Sequence, residues 1–255
     1  MSRAVRVAVF RPDDDRLRDA VSLLESLGAT AVPDPMLEVR PTGAVPGDGL
    51  DGDGDPDFVI FTSKTGAELV AEAGWAPADG VVVCAIGDST AAALREAGYR
   101  VDRVPTEFSS AGLVRELADD VAGARVEVAR SDHGSDVLLD GLREAGADVH
   151  ETVLYQLVRP EGSGESAEAA AAGDLEGALF TSSLTVDHFL DAAAERGVRD
   201  AAVAGLNDAV VGVIGEPTRE TAESRGIAVN VVPERADFEE LACAVVERAA
   251  PSYRD

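Results

Sequence analysis

A chain of 255 residues with 45% hydrophobic content is long enough to bury a full core, in one large domain or two small ones, and two are expected. Acidic residues outnumber basic ones 48 to 22, a formal charge of -26 with Lys64 as the single lysine, and such a surface repels nucleic acid and anionic membranes. Cys84 and Cys243 sit in apolar runs without metal or disulfide spacing, which excludes a cysteine-rich scaffold and fits a reducing cytoplasm. The N-terminus has too few apolar residues before its acidic run for a signal peptide, and no apolar stretch approaches membrane-spanning length, so a cytoplasmic protein is expected. Acidity spread along the whole chain, almost without lysine, suggests adaptation to a salty cytoplasm, where the screening length shrinks to about 3 Å at 1 M. A merely acidic protein with arginine-favouring codons is the plainer alternative.

In chain order, short β-rich apolar runs predict strands near 5–10, 57–61, 81–86, 99–103, 124–129, 149–158, 177–181, 209–214 and 228–232. They alternate with helical patterns of about 10 to 14 residues, which predicts parallel sheets covered by helices. Ser63, Asp88, Ser109, Ser183 and Glu216-Pro217 stand where helices should begin. Thr42 to Pro56 reads as a surface loop containing two misleading motifs. GDGLDG, Gly47 to Gly52, fits a dinucleotide fingerprint by letter, yet it follows no predicted strand and carries Asp48 and Asp51. DGDGDPD, Asp51 to Asp57, lacks the glycine and glutamate of a calcium loop and reads as a solvated acidic turn. PEGSGES, Pro160 to Ser166, reads as a linker into an alanine-rich helix.

The chain also echoes itself. FTSKTG at 61–66 returns as FTSSLT at 180–185; residues 5–32 are matched by 124–150, MLEVRP at 36–41 by YQLVRP at 155–160, and 81–105 by 209–233. The pattern predicts duplication of one α/β unit.

Ligands of parallel α/β sheets bind beyond the carboxyl ends of the strands, where helix N-termini present free N–H groups and partial positive charge. Thr62, Ser63, Ser89, Thr90, Arg11, Arg130, Ser131, Thr181, Ser182, Ser183 and Thr218 all fall at that edge. Each hydroxyl taken singly is an ordinary helix cap, stabilising by about 1 kcal/mol. Together they describe an N–H-rich, hydroxyl-lined edge suited to a ligand with many carboxylates or phosphates. His133, His150 and His188 are scattered, with no metal-ligand spacing, and no nucleophile or metal motif is present.

The ordered set F-T-S at 61–63, A-I-G-x-x-T at 85–90, G-Y-R-V at 98–101, V-P at 104–105, V-L-Y-Q at 153–156, F-T-S at 180–182 and V-I-G-x-x-T at 213–218 resembles uroporphyrinogen-III synthase over almost the whole chain. The resemblance implies two similar flavodoxin-like α/β domains with parallel sheets, joined by a two-stranded linker. Residues 1–34 plus 161–255 would form one domain and 42–150 the other, with 35–41 and 151–160 as linker strands. It implies cyclisation of hydroxymethylbilane, a linear tetrapyrrole, with inversion of ring D and loss of water, and it requires no metal or organic cofactor.

Tyr155 matches the family's linker tyrosine, beside the interdomain cleft, and would help the hydroxyl leave; packing under the linker is the plain alternative. Thr62, Ser63, Thr90, Thr181, Ser182 and Thr218 match cleft positions that would hold acetate and propionate arms. Lys64, Arg11, Arg130 and Ser131 are further candidates for the carboxylates, although Lys64 could serve solubility and Arg11 could pair with Asp13 to Asp15. Glu216 departs from the pattern by placing an acid at a helix N-terminus. A monomer is expected. The rival reading is a two-lobed sensor that binds a tetrapyrrole or another polyanion without turnover.

Overall fold

A computed structural model describes residues 5–48 and 55–250, so the two loop motifs at 47–57 lie largely outside the described residues. The chain divides into two compact units, one drawn from the chain up to Glu38 and from Val158 onward, the other spanning Val39–Leu157.

In the first unit, β1 (Arg6–Phe10) leads through α1 (Asp15–Ser26) to β2 (Thr30–Pro33). The chain returns with α6 (Glu165–Ala171), β8 (Gly177–Phe180), α7 (Ser183–Glu195), α8 (Arg199–Asp208), β9 (Val210–Val213), α9 (Glu216–Ser224) and α10 (Phe238–Ala249). The sheet order is β2-β1-β8-β9, and every pair is parallel. Short apolar strands such as VAVF and GALF are buried on both faces, as a sheet covered on both sides demands. Ala8, Phe10 and Phe180 pack with Val186 and Phe189 of α7 on one face; Val7 and Val9 pack with Leu24 of α1 and Leu241 and Val245 of α10 on the other. Phe10 stacks on Phe180 at 4.5 Å, and Phe189 meets Phe10 at 5.3 Å. Each such fully buried ring contributes about 1.5–3 kcal/mol relative to exposure.

The second unit contains β3 (Glu38–Pro41, entering at Val39), β4 (Phe58–Phe61), α2 (Lys64–Glu72), β5 (Val82–Ala85), α3 (Asp88–Glu96), α4 (Ser110–Leu117), β6 (Arg125–Ser131), α5 (Asp136–Glu144) and β7 (Asp148–Val158). Its sheet order is β3-β7-β6-β4-β5. Val59, Phe61 and Ala129 face α2 and α3, while Ile60, Val126 and Val128 face α4 and α5. Four strands of each sheet correspond in order, with β1, β2, β8 and β9 standing where β6, β7, β4 and β5 stand. Those are the strands of the matched sequence stretches.

The predicted strands at 99–103 and 228–232 need correction, because each is reduced to a single bridge, Cys84 with Arg103 and Gly212 with Val231. A side chain explains both. Asp102 Oδ2 accepts the Val83 N–H at 3.1 Å, and Asn230 Oδ1 accepts the Val211 N–H at 2.7 Å, so a ladder donor is taken by a side chain instead of a backbone carbonyl. Helices begin where expected: Ser63 and Ser109 are N-caps, and Asp88, Ser183 and Glu216 are first-turn residues. Helix α8 is not visible in the sequence, since RDAAVAGLND has small residues and a glycine where a helix usually shows large apolar ones.

Candidate functional site

The carboxyl end of β4 delivers Phe61-Thr62-Ser63 directly into α2. Ser63 adopts an extended conformation and its Oγ accepts the Gly66 N–H at 2.9 Å, an N-cap that ties the strand end to the helix. Tyr155 reaches the same atom from β7, its Oη donating to Ser63 Oγ at 3.0 Å. With two hydrogen bonds accepted, Ser63 keeps its own O–H free to donate. The Tyr155 ring is buried among Phe61, Ala67 and Leu154, so only the hydroxyl end is presented.

These residues line a pocket of about 170 Å³ with Thr62, Ser110, Arg130, Ser131 and Ser135. Arg130, 5% exposed, is deeply committed to the protein. Its Nε donates to Glu151 at 2.6 Å, Nη1 to the Ser135 carbonyl at 2.8 Å and Nη2 to Asp136 at 3.4 Å. Two carboxylates more than neutralise its charge, and the three bonds leave two donors of the five-donor fork for a ligand. Gly134 makes the placement possible, since a Cβ there would lie 2.7 Å from Arg130 Cδ.

Five expected residues, Thr62, Ser63, Arg130, Ser131 and Tyr155, thus meet in one pocket of the second unit. Lys64 does not line it; its ammonium lies 3.4 Å from Glu68 on the exposed first turn of α2. Thr90 is buried in the first turn of α3 and also lies outside that lining. Sequence reading passed over Ser110, Ser135 and Glu151. The serines carried a usable signal as neighbours of helix starts, whereas Glu151 meets Arg130 across strands 21 residues apart.

In the first unit, the expected residues also stand at carboxyl ends of strands. Arg11 lies over the Phe238 ring, 4.3 Å from its centroid. Burial and neighbouring Arg16 push its pKa down, partly offset by Asp14 and Asp19. Asp14 and Asp15 make their close ion pairs with Arg16 and Arg18, and Arg11 feels Asp14 at longer range. Thr181 Oγ1 donates to the Phe10 carbonyl at 2.8 Å, and Ser182 forms a capping box with Thr185. Thr218 is buried at the third position of α9, and Glu216 at the first pairs with Arg219 at 3.3 Å. Neither α3 nor α9 has a side-chain cap, because Gly87 and Gly215 occupy the N-cap positions.

Among the described residues, no group of three or more His, Cys, Asp or Glu could hold a metal ion, and no helix is long and apolar enough to cross a membrane.

Two largely parallel sheets of this order, each with hydroxyl-bearing residues at its carboxyl edge, define a two-domain α/β protein. The sequence profile described as uroporphyrinogen-III synthase HemD matches residues 18–243. A relative from Methanothermobacter thermautotrophicus, provisionally named as a uroporphyrinogen-III synthase, is 31% identical over 249 residues, covering 94% of this chain and 96% of its own. Another with the same provisional name, from Archaeoglobus fulgidus, is 28% identical, covering 72% of this chain and 76% of its own. Among solved structures, a mutant uroporphyrinogen III synthase from Thermus thermophilus superposes with a TM-score of 0.67 at 21% identity, covering 96% of this chain and 98% of its own. The enzyme from Helicobacter pylori gives 0.57 at 16% identity, covering 96% and 99%. The structural matches establish the fold, and the profile match establishes the family: the chain belongs to the uroporphyrinogen-III synthase HemD family of cyclising lyases, which act on hydroxymethylbilane.

Proposed function

We propose that this chain closes hydroxymethylbilane into uroporphyrinogen III in the cytoplasm, as a monomer, with Tyr155 as the residue that helps the terminal hydroxyl depart. The observation that carries the proposal is the Tyr155 Oη to Ser63 Oγ hydrogen bond, 3.0 Å long, at the mouth of a hydroxyl-lined pocket. Loss of the hydroxyl as water gives an azafulvene cation, and attack at the substituted carbon of ring D gives a spiro intermediate. Fragmentation and reclosure then invert that ring. Tyr155 turns its proton from Ser63 to the departing oxygen, and the free Ser63 O–H donates back to the phenol oxygen as charge develops there. Positioned proton donation of this kind is worth about 10²–10⁴-fold.

Thr62, Ser110, Ser131 and Ser135, with the spare donors of Arg130, hold carboxylate arms by hydrogen bonds. Holding the chain ends together matters more here than a strong acid or base, because the competing reaction is spontaneous closure without inversion. Phe108 and Val137 are the only large hydrophobic side chains exposed among the described residues, which supports a monomer.

The test is an anaerobic assay in high salt, feeding enzymatically generated hydroxymethylbilane, with the oxidised product resolved into type I and type III porphyrins. Predominant type III is expected. Type I alone from folded protein would overturn the proposal in favour of a binding protein.

A further inference from the structure

Tyr155 points into its pocket because of an irregularity in the sheet. In a regular strand successive side chains alternate between faces, so Leu154 and Tyr155 should lie on opposite sides. Both are instead buried in the cluster beneath α2 and α3. The cause is a shift in the parallel pairing of β6 with β7: Arg130 stands opposite Val153, yet Ser131 stands opposite Tyr155. Leu154 is the extra residue of a bulge, which bends the strand and re-aims the side chain that follows.

Asp132, immediately after β6, ties down the chain that leaves the bulge. Its N–H donates to the Tyr155 carbonyl at 3.2 Å, and its Oδ1 accepts the Leu157 N–H at 2.9 Å. The Leu154 carbonyl is satisfied by the Thr42 N–H at 3.0 Å, so the bulged backbone is fixed before and after Tyr155. His133 Nδ1 lies 2.8 Å from the same Asp132 oxygen. Burial raises the pKa of Asp132, but the bonds from His133 and Leu157 outweigh it, so the group lies below its usual value and is ionised at neutral pH.

We propose that Asp132 is a positioning residue for the reaction, its carboxylate pinning the Leu157 N–H while its backbone N–H holds the Tyr155 carbonyl, which fixes the segment from Tyr155 to Leu157 and so aims Tyr155 Oη at Ser63 and the pocket. The inference rests on the role given to Tyr155 above. Asp132 touches no substrate; it acts through the tyrosine.

A double-mutant cycle on the full chain tests it, with kcat, KM and the ratio of type III to type I product measured for wild type, Asp132→Ala, Tyr155→Phe and the double variant. Asp132→Ala is expected to lower kcat roughly ten- to a hundredfold, as a small misplacement does, with KM within about twofold. Asp132→Asn keeps an oxygen for the Leu157 N–H and is expected to restore most of the rate. In the Tyr155→Phe background, Asp132→Ala is expected to add no further loss. Losses that multiply in the double variant, or wild-type kcat in Asp132→Ala, would overturn the proposal. If Asp132→Ala does not fold, Asp132→Glu, which displaces the carboxylate by one methylene, takes its place with the same expected and overturning patterns. Type I product alone from the wild type sinks the functional reading itself, and a fast Tyr155→Phe sinks the role of Tyr155 together with the positioning that rests on it, whereas a slow Tyr155→Phe beside a wild-type Asp132→Ala sinks only the positioning role.

Discussion

Glu127 lies in the middle of β6, 2% exposed, between Val59 and His150 of the neighbouring strands. Thr152 donates its hydroxyl to Oε1, while Oε2 is buried without a hydrogen-bond partner. Burial pushes its pKa up, and the Thr152 bond and His150 offset that only in part. The neutral acid is therefore the form the fold prefers. Its contribution is present below the unfolded pKa, near 4.3, and is lost as pH rises through the higher folded value. Glu127→Gln should accordingly gain on the wild type as pH is raised from about 4 to 8, by at most about 1.4 kcal/mol per unit. Thermal unfolding across that range checks this, and a pH-independent gap would contradict it. Sequence alone did not single out Glu127, because RVEVARS reads equally well as a strand with one solvated face. Arg130 shows the same limit: its strand-end place was legible, but its partners Glu151 and Asp136 come from β7 and α5 and are set by tertiary pairing.

At the scale of elements, hydrophobic periodicity and helix-start residues located most strands and helices, since both signals are local. The exceptions are physical rather than random. Residues 99–103 and 228–232 carry apolar strand patterns, yet Asp102 and Asn230 interrupt the ladder with side-chain acceptors. Helix α8 leaves little trace in the sequence because it packs through backbone contact. A Cβ on Gly205 would stand 1.8 Å from the Ala170 carbonyl of α6, so the two helices approach too closely for any larger residue. Gly205→Ala should therefore lower stability by roughly 1–3 kcal/mol or more, despite alanine's better helix propensity. Calorimetry of the full chain should show the first unit unfolding several degrees earlier; an unchanged or raised midpoint would contradict the packing.

For the whole molecule, charge dominates. A formal -26 opposes both the compact state and the approach of a substrate bearing eight carboxylates. Pairs such as Arg219 with Glu216 and Glu223 or Arg225 with Asp187 are exposed and screened by solvent, so they do little to offset that repulsion at low salt. Activity is thus expected to collapse at low ionic strength and return as salt is added, whereas full activity in dilute buffer would refute the salt argument. The reaction itself was legible only through the ordered family motifs, because no triad or metal site announces it.

The most direct measurement compares the type III to type I ratio made by wild type and by Tyr155→Phe in the same high-salt assay. Mostly type III is expected from the wild type, and a slower reaction with a larger type I share from the variant. Equal rates and equal ratios from the two proteins would remove Tyr155 from the chemistry and contradict a site built on its hydroxyl.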